Sequence, residues 1–192
     1  MRNLKTIKEA DIERIRDIAK EYEMTCTGCA QSAVAALLEV LDIKSNEVFK
    51  AASGLADGIG LSSDGSCGAL TGGAMVIGLV FGREYAEFKD PLAAIGSYDL
   101  AKELHEHFIS EYGTCRCADI QKKLMGRSFN LRNQDDATLA IEQGMSGHCS
   151  DVVGKAAAAA LRIISSGASK KTQSQVLCGG APAGCCGGAT VQ

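Results

Sequence analysis

The sequence predicts an all-α fold: a compact helical bundle followed by a flexible Gly/Cys-rich C-terminal tail. Three observations carry this. Apolar residues recur three and four apart in several separate stretches, no stretch shows the strict alternation of a half-buried strand, and β-branched clusters are few. The chain has 192 residues, 46% of them hydrophobic and 22% charged, which suits a protein that buries a core. That length fits one cysteine-rich domain over residues 1–167, with the tail over 168–192.

The elements follow in order. Ile12, Ile15, Ile18, Ala19 and Tyr22 fall at helical spacing among charged residues, so residues 10–22 predict a surface helix with one buried stripe. Thr25 or Thr27 then suits the cap of a second helix, which runs through AQSAVAALLEV to about Leu41. A shorter helix fits Asn46–Ala56, and Gly54, Gly58, Gly60 and Gly65 force a turn after it. Ser66–Gly82 carries no charge for 17 residues. It is too short for a typical membrane-spanning helix and reads as the central helix of the bundle. Its glycines, Gly68 with Gly72 and Gly78 with Gly82, give two bare faces for close backbone approach.

Pro91 suits a helix start, and Ala101, Leu104, Phe108 and Tyr112 mark the buried stripe of a helix ending at Gly113. CRCADIQKKLMG predicts a short helix ending near Gly126, and SFNLRNQDD a polar connection. The last regular element is CSDVVGKAAAAALRIISS, where the alanine run favours helix and permits tight packing. After Gly167 the composition turns to Ser, Lys, Gln and Gly, and no repeat of fixed period runs through the chain.

A net charge of −3 excludes a broad cationic field, so neither nucleic acid nor an anionic membrane surface is expected as a partner. No dinucleotide fingerprint, P-loop or catalytic-triad motif is present. The N-terminal segment is charged throughout, without the apolar run of a signal peptide, which predicts a cytoplasmic protein. The glycine faces and the Ala-rich last helix also suit a homodimer.

Nine cysteines in such a chain point to metal or redox chemistry, because a reducing compartment keeps thiols unpaired. Six lie in the folded region: Cys26, Cys29, Cys67, Cys115, Cys117 and Cys149. Each is predicted at or just before a helix start, where unpaired N–H groups and the helix dipole favour thiolate over thiol. The competing reading is that these are small buried hydrophobes. His148, beside Cys149, is a candidate ligand or proton carrier but suits a surface or capping role better. His105 and His107 suit packing or solvation. Ser66 and Thr71 are candidate donors to sulfur, whereas Gln31 and Asp119 suit contacts with nearby backbone. Cys178, Cys185 and Cys186 in the tail could reach back to a site, bind a metal in transit or exchange disulfides.

GCAQS at 28–32, CGALTGGAMVIGLVFG at 67–82, GTCRCADI around Cys117 and CSDVVGKAAAAAL at 149–161 resemble, in order, the signature blocks of the C_GCAxxG_C_C family of redox-active proteins. A similar domain is the non-haem part of split-Soret cytochromes. The resemblance implies a redox centre, foremost an iron–sulfur cluster, with Cys29, Cys67, Cys117 and Cys149 as the metal-binding and cofactor-binding set. It also implies a redox partner protein. No C-x-x-C-H occurs, so covalent haem is not expected. Cys26 and Cys115, beside two signature positions, are alternates, extra ligands or bystanders. By count, four thiolates serve a zinc ion as well as a cluster. Ligands scattered over four segments suit a cluster between helices better than a compact zinc hairpin. A metal-free thiol–disulfide protein or sensor, and a zinc-binding structural or metal-handling protein, are the alternatives.

Overall fold

The computed structural model describes residues 6–178, with side chains described through Ala168. Among the described residues eight α-helices follow one another: α1 (Glu9–Cys26), α2 (Cys29–Val40), α3 (Asn46–Ala51), α4 (Gly68–Phe81), α5 (Ile95–Tyr112), α6 (Cys117–Met125), α7 (Gln134–Glu142) and α8 (Met145–Cys178). Short 3-10 turns at Ala52–Leu55, Tyr85–Glu87 and Pro91–Ala94 link some of them. Among the described residues there is no strand, and an isolated antiparallel bridge pairs Ser66 with Arg116. The all-α expectation therefore holds, and no described helix is long and apolar enough to cross a membrane.

α8 is the hub, packing against α1, α2, α4 and α5. Its small residues Ala156, Ala157 and Ala160 lie buried beside Val153, Leu161 and Ile164, which lets four neighbours approach one axis. α4, the uncharged stretch read as the central helix, packs on α2, α5 and α8. One of its two glycine faces serves that packing. A side-chain carbon at Gly72 would fall 2.5 Å from the backbone oxygen of Ala30, so α2 and α4 touch backbone to backbone there. A side-chain carbon at Gly78 would meet nothing within 4 Å among the described residues, so no neighbouring helix closes on the second face there.

Several boundaries differ from the sequence reading. α1 runs on to Cys26 because Thr25 turns its hydroxyl back to the Glu21 carbonyl instead of capping the next helix. α2 starts instead behind left-handed Gly28, at φ 90°. The polar stretch before α8 contains α7, whose start is capped by the Asn133 side chain accepting from the Asp136 N–H at 2.9 Å. α8 begins at Met145, four residues earlier than expected, and its backbone stays helical through residues 168–178, which were assigned to the tail. Cys185 and Cys186 lie outside the described residues.

Two apolar clusters result. The main one joins α1, α2, α4, α5 and α8. The small one consists of Phe129, Ala140 and Met145, with Met125, Leu131, Leu139 and Cys149 packed on it.

Candidate redox site

The loop between the Ala52–Leu55 turn and α4 sets up one wall of the site. Asp57, Gly58, Ile59, Gly60 and Leu61 are all left-handed, with φ of 45°, 67°, 72°, 60° and 63°, so the chain makes a full turn of the wrong hand for L-residues. Such strain persists only where the surroundings over-determine it, and it concentrates at functional sites. Here it folds Asp57 inward. The Asp57 N–H donates to Cys29 Sγ at 3.5 Å, and its carboxylate accepts from Ser63 Oγ at 3.0 Å and from Gln121 Nε2 at 2.7 Å. Cys117 Sγ lies 3.1 Å from the same carboxylate. Gly58 must be glycine twice over, for its φ and because a side-chain carbon would fall 3.0 Å from the Cys117 Cβ.

Four cysteines from four chain segments line one cavity of about 400 Å³: Cys29, Cys67, Cys117 and Cys149. Cys29 opens α2, and its sulfur passes directly over Gly68, where a side-chain carbon would fall 2.3 Å away. Cys67 is the residue before α4, and its sulfur receives the N–H groups of Ala69 and Leu70. Cys117 opens α6, held by its own N–H on the Gly65 carbonyl at 2.9 Å. Cys149 sits one turn inside α8, because that helix starts early; the helix-start expectation is corrected for it.

Cys67 and Cys117 influence one another: beside Cys117 the Cys67 thiol is held below its ordinary range, and Cys117 is pushed above it. The Cys117 Sγ has its hydrogen bond to the Asp57 carboxylate. Burial raises Cys29, with the Cys67 charge adding to it, and burial pushes Cys149 up to about 12. Glu23 of α1 also lines the cavity. It is 9% exposed, and burial pushes its carboxyl up to about 7 against the opposing hydrogen bond from Ser32 Oγ at 2.8 Å.

The two flanking cysteines stay outside the cavity. Cys26 is the exposed last residue of α1, at the negative end of a helix dipole, contrary to its expected place at a helix start. Cys115 is half-buried, receives Ser66 Oγ at 3.9 Å and gives its carbonyl to the Cys67 N–H. His105, His107 and His148 are exposed. Thr71 donates to the Gly68 carbonyl rather than to sulfur. Gln31 reaches the Phe49 carbonyl, as expected of a backbone contact, whereas Asp119 pairs with the Arg116 and Lys122 side chains.

Glu23, Asp57 and Gln121 escaped the sequence reading. Glu23 falls on the apolar stripe of α1, one turn after Ala19, and this was the one available signal.

The fit of a metal can be tested on this donor set. Four thiols line one space, and two of them already receive backbone N–H groups, as sulfurs bound to iron commonly do. Among the described residues no three Cys, His, Asp or Glu side chains gather as ligands of one ion. A tetrahedral zinc ion needs four donors about 2.0–2.3 Å from one point. A cluster asks less convergence, because its thiolates bind different irons.

A family model described as "Putative redox-active protein (C_GCAxxG_C_C)" matches residues 27–163, which include Cys29, Cys67, Cys115, Cys117 and Cys149 and leave out Cys26. No curated protein and no solved structure matches the chain.

Proposed function

Because this chain belongs to the C_GCAxxG_C_C family of redox-active proteins, we propose that Cys29, Cys67, Cys117 and Cys149 hold an iron–sulfur cluster and that the protein transfers electrons or senses redox state. The observation that carries this reading is the lining of one cavity by four thiols from four separate segments. When bound, such a cluster supplies one-electron chemistry whose potential depends on charge, burial and hydrogen bonds to sulfur. The chain's own groups act on those terms. The N–H groups of Asp57, Ala69 and Leu70 and the Gln121 amide point at sulfur and favour the reduced, more negative state. Asp57 opposes them with a carboxylate beside Cys117.

Protein purified without oxygen should show visible charge-transfer absorption and contain iron with acid-labile sulfide. Serine in place of Cys29, Cys67, Cys117 or Cys149 should lower both, while Cys26→Ser and Cys115→Ser should leave them in place. Colourless protein with neither iron nor sulfide would remove the cluster.

One observation favours a second reading, a metal-free dithiol. Cys67 and Cys117 line the same cavity and shift one another's thiols, so these two could form a disulfide, releasing two electrons and two protons to a partner disulfide. Mapping of thiols in oxidised and reduced protein would then find a reversible Cys67–Cys117 bond, and metal analysis would find none.

A further inference from the structure

The cavity extends beyond its sulfurs. At about 400 Å³ it lies in the range of small-molecule pockets, roughly 300–1,000 Å³. It runs between the two apolar clusters, and Leu124, Met125, Leu131, Ala140, Ile141 and Met145 line it together with the cysteines. No Lys or Arg lines it, so no cationic side chain there would pair an anionic ligand. The aliphatic lining makes the desolvation of a cation costly as well.

The polar groups in this space are unequally occupied. Asp57 is saturated by Ser63, Gln121 and Cys117, and Gln121 spends its own oxygen on the Phe129 N–H at 3.0 Å. Glu23 is different. Ser32 donates to its Oε2, and Oε1 has no hydrogen-bond partner among the described residues, although the residue is nine-tenths buried. No fully buried side-chain oxygen among the described residues lacks a partner, so Oε1 opens onto the cavity space, where a ligand atom can reach it. With Oε2 accepting from Ser32, Oε1 is the oxygen free to carry a proton and donate it.

We propose that the cavity binds a small, neutral, mostly apolar carbonyl compound, its body against Met145, Ala140 and Leu124 and its oxygen accepting a hydrogen bond from Glu23 Oε1. Burial supports the donor role by keeping this carboxyl protonated to about pH 7. This names the ligand class of the redox site and rests on the redox reading only for the ligand's role as reactant. Binding itself is tested independently of that role.

The test is a fluorescence titration of the full chain, prepared without oxygen, with prodan, a neutral naphthalene bearing one ketone. Saturable one-to-one binding with blue-shifted emission is expected. Glu23→Leu should weaken it about tenfold, the worth of one buried hydrogen bond, and Glu23→Gln, which keeps a donor, should largely restore it. Ala140→Phe should block the space. Should that variant fail to fold, Ile141→Trp does the same from a residue that is 70% exposed and free to change. Binding that survives Ile141→Trp, or tighter binding of naphthylmethylamine than of the ketone, would overturn the proposal. Iron and sulfide assayed on the same samples keep the two readings apart. Probe binding without iron sinks only the cluster, and iron without probe binding sinks only this pocket.

Discussion

The main apolar cluster and the small one under α7 meet at the same cavity, yet they are built differently. On the main side, α2, α4 and α8 bury long runs of residues completely, and backbones touch where α4 carries glycine. On the other, three buried residues and a few half-buried neighbours hold α7 on α8. Polar ties do much of the remaining work there: Arg132 donates to the Gly60 carbonyl at 2.7 Å, Phe129 N–H to Gln121, and Ser63 to the Phe129 carbonyl. A site at such a seam has a rigid wall that fixes Cys29 and Cys67, and a lighter wall that can yield. Local stability and access are thereby divided between the two sides.

The largest test of this contrast is Gly72→Leu. Its side chain has only the Ala30 backbone to meet, and backbone cannot rotate away, so the variant should lose about 3 kcal/mol or more, read as a large drop in urea midpoint. An unchanged midpoint would show that α2 and α4 are not locked together. Next comes a matched pair. Leu37→Ala in the main cluster should cost about 2–5 kcal/mol. Met145→Ala should fall at the low end of that range, about 2 kcal/mol, because a side chain lining a cavity has fewer packing contacts to lose. Equal losses would erase the distinction between the two walls.

Glu23 makes the seam sensitive to pH. Its folded pKa of about 7 lies above the ordinary 4.5, so the folded state binds the extra proton. The sign follows: this group's favourable state is fully present below pH 4.5, and stability falls as pH rises through about 7, by about 3 kcal/mol in total. Chemical denaturation of metal-free protein across that window should show the decline, and Glu23→Gln should flatten it. A flat profile in the unaltered chain would mean that Glu23 is better solvated than its burial implies.

These variants also separate what was legible in the sequence from what was not. Helix faces were legible because periodicity reports burial: Ile12, Ile15 and Ala19, then Leu104, Phe108 and Tyr112, all lie in the main cluster. Gly113 and Gly126 ended α5 and α6 as expected, both in the left-handed conformation that glycine favours. α7 was hidden because its apolar positions are sparse and its start depends on the Asn133 cap. Of the six cysteines considered, the four signature ones share the cavity. The preference for helix starts did not separate them from Cys26, because it assigned Cys26 to the wrong helix end. Asp57 was illegible for a deeper reason. Its role depends on a left-handed turn, and nothing local announces that Ile59 and Leu61 will take positive φ.

That turn supports the smallest prediction, and the one with the opposite sign. Ile59 is β-branched, 55% exposed and held at φ 72°, where its side chain crowds its own backbone. Ile59→Gly removes that crowding, a gain of about 1–2 kcal/mol, while giving the unfolded chain more freedom, a loss of about 0.5–1 kcal/mol. The net should be a rise in stability of about 1 kcal/mol or less, visible as a small upward shift of Tm. If the loop is held only by its own strain-tolerant contacts, the shift will come without any change in thiol reactivity at Cys117. If Ile59 instead presses the loop against Gly65, whose added side-chain carbon would fall 3.1 Å from Ile59 Cδ1, the Asp57 carboxylate should loosen and Cys117 should react faster with a thiol reagent. A fall in Tm together with faster reaction would show that the strained residue is a clamp on the seam. In that case the rigid wall extends through this loop and does not stop at α4.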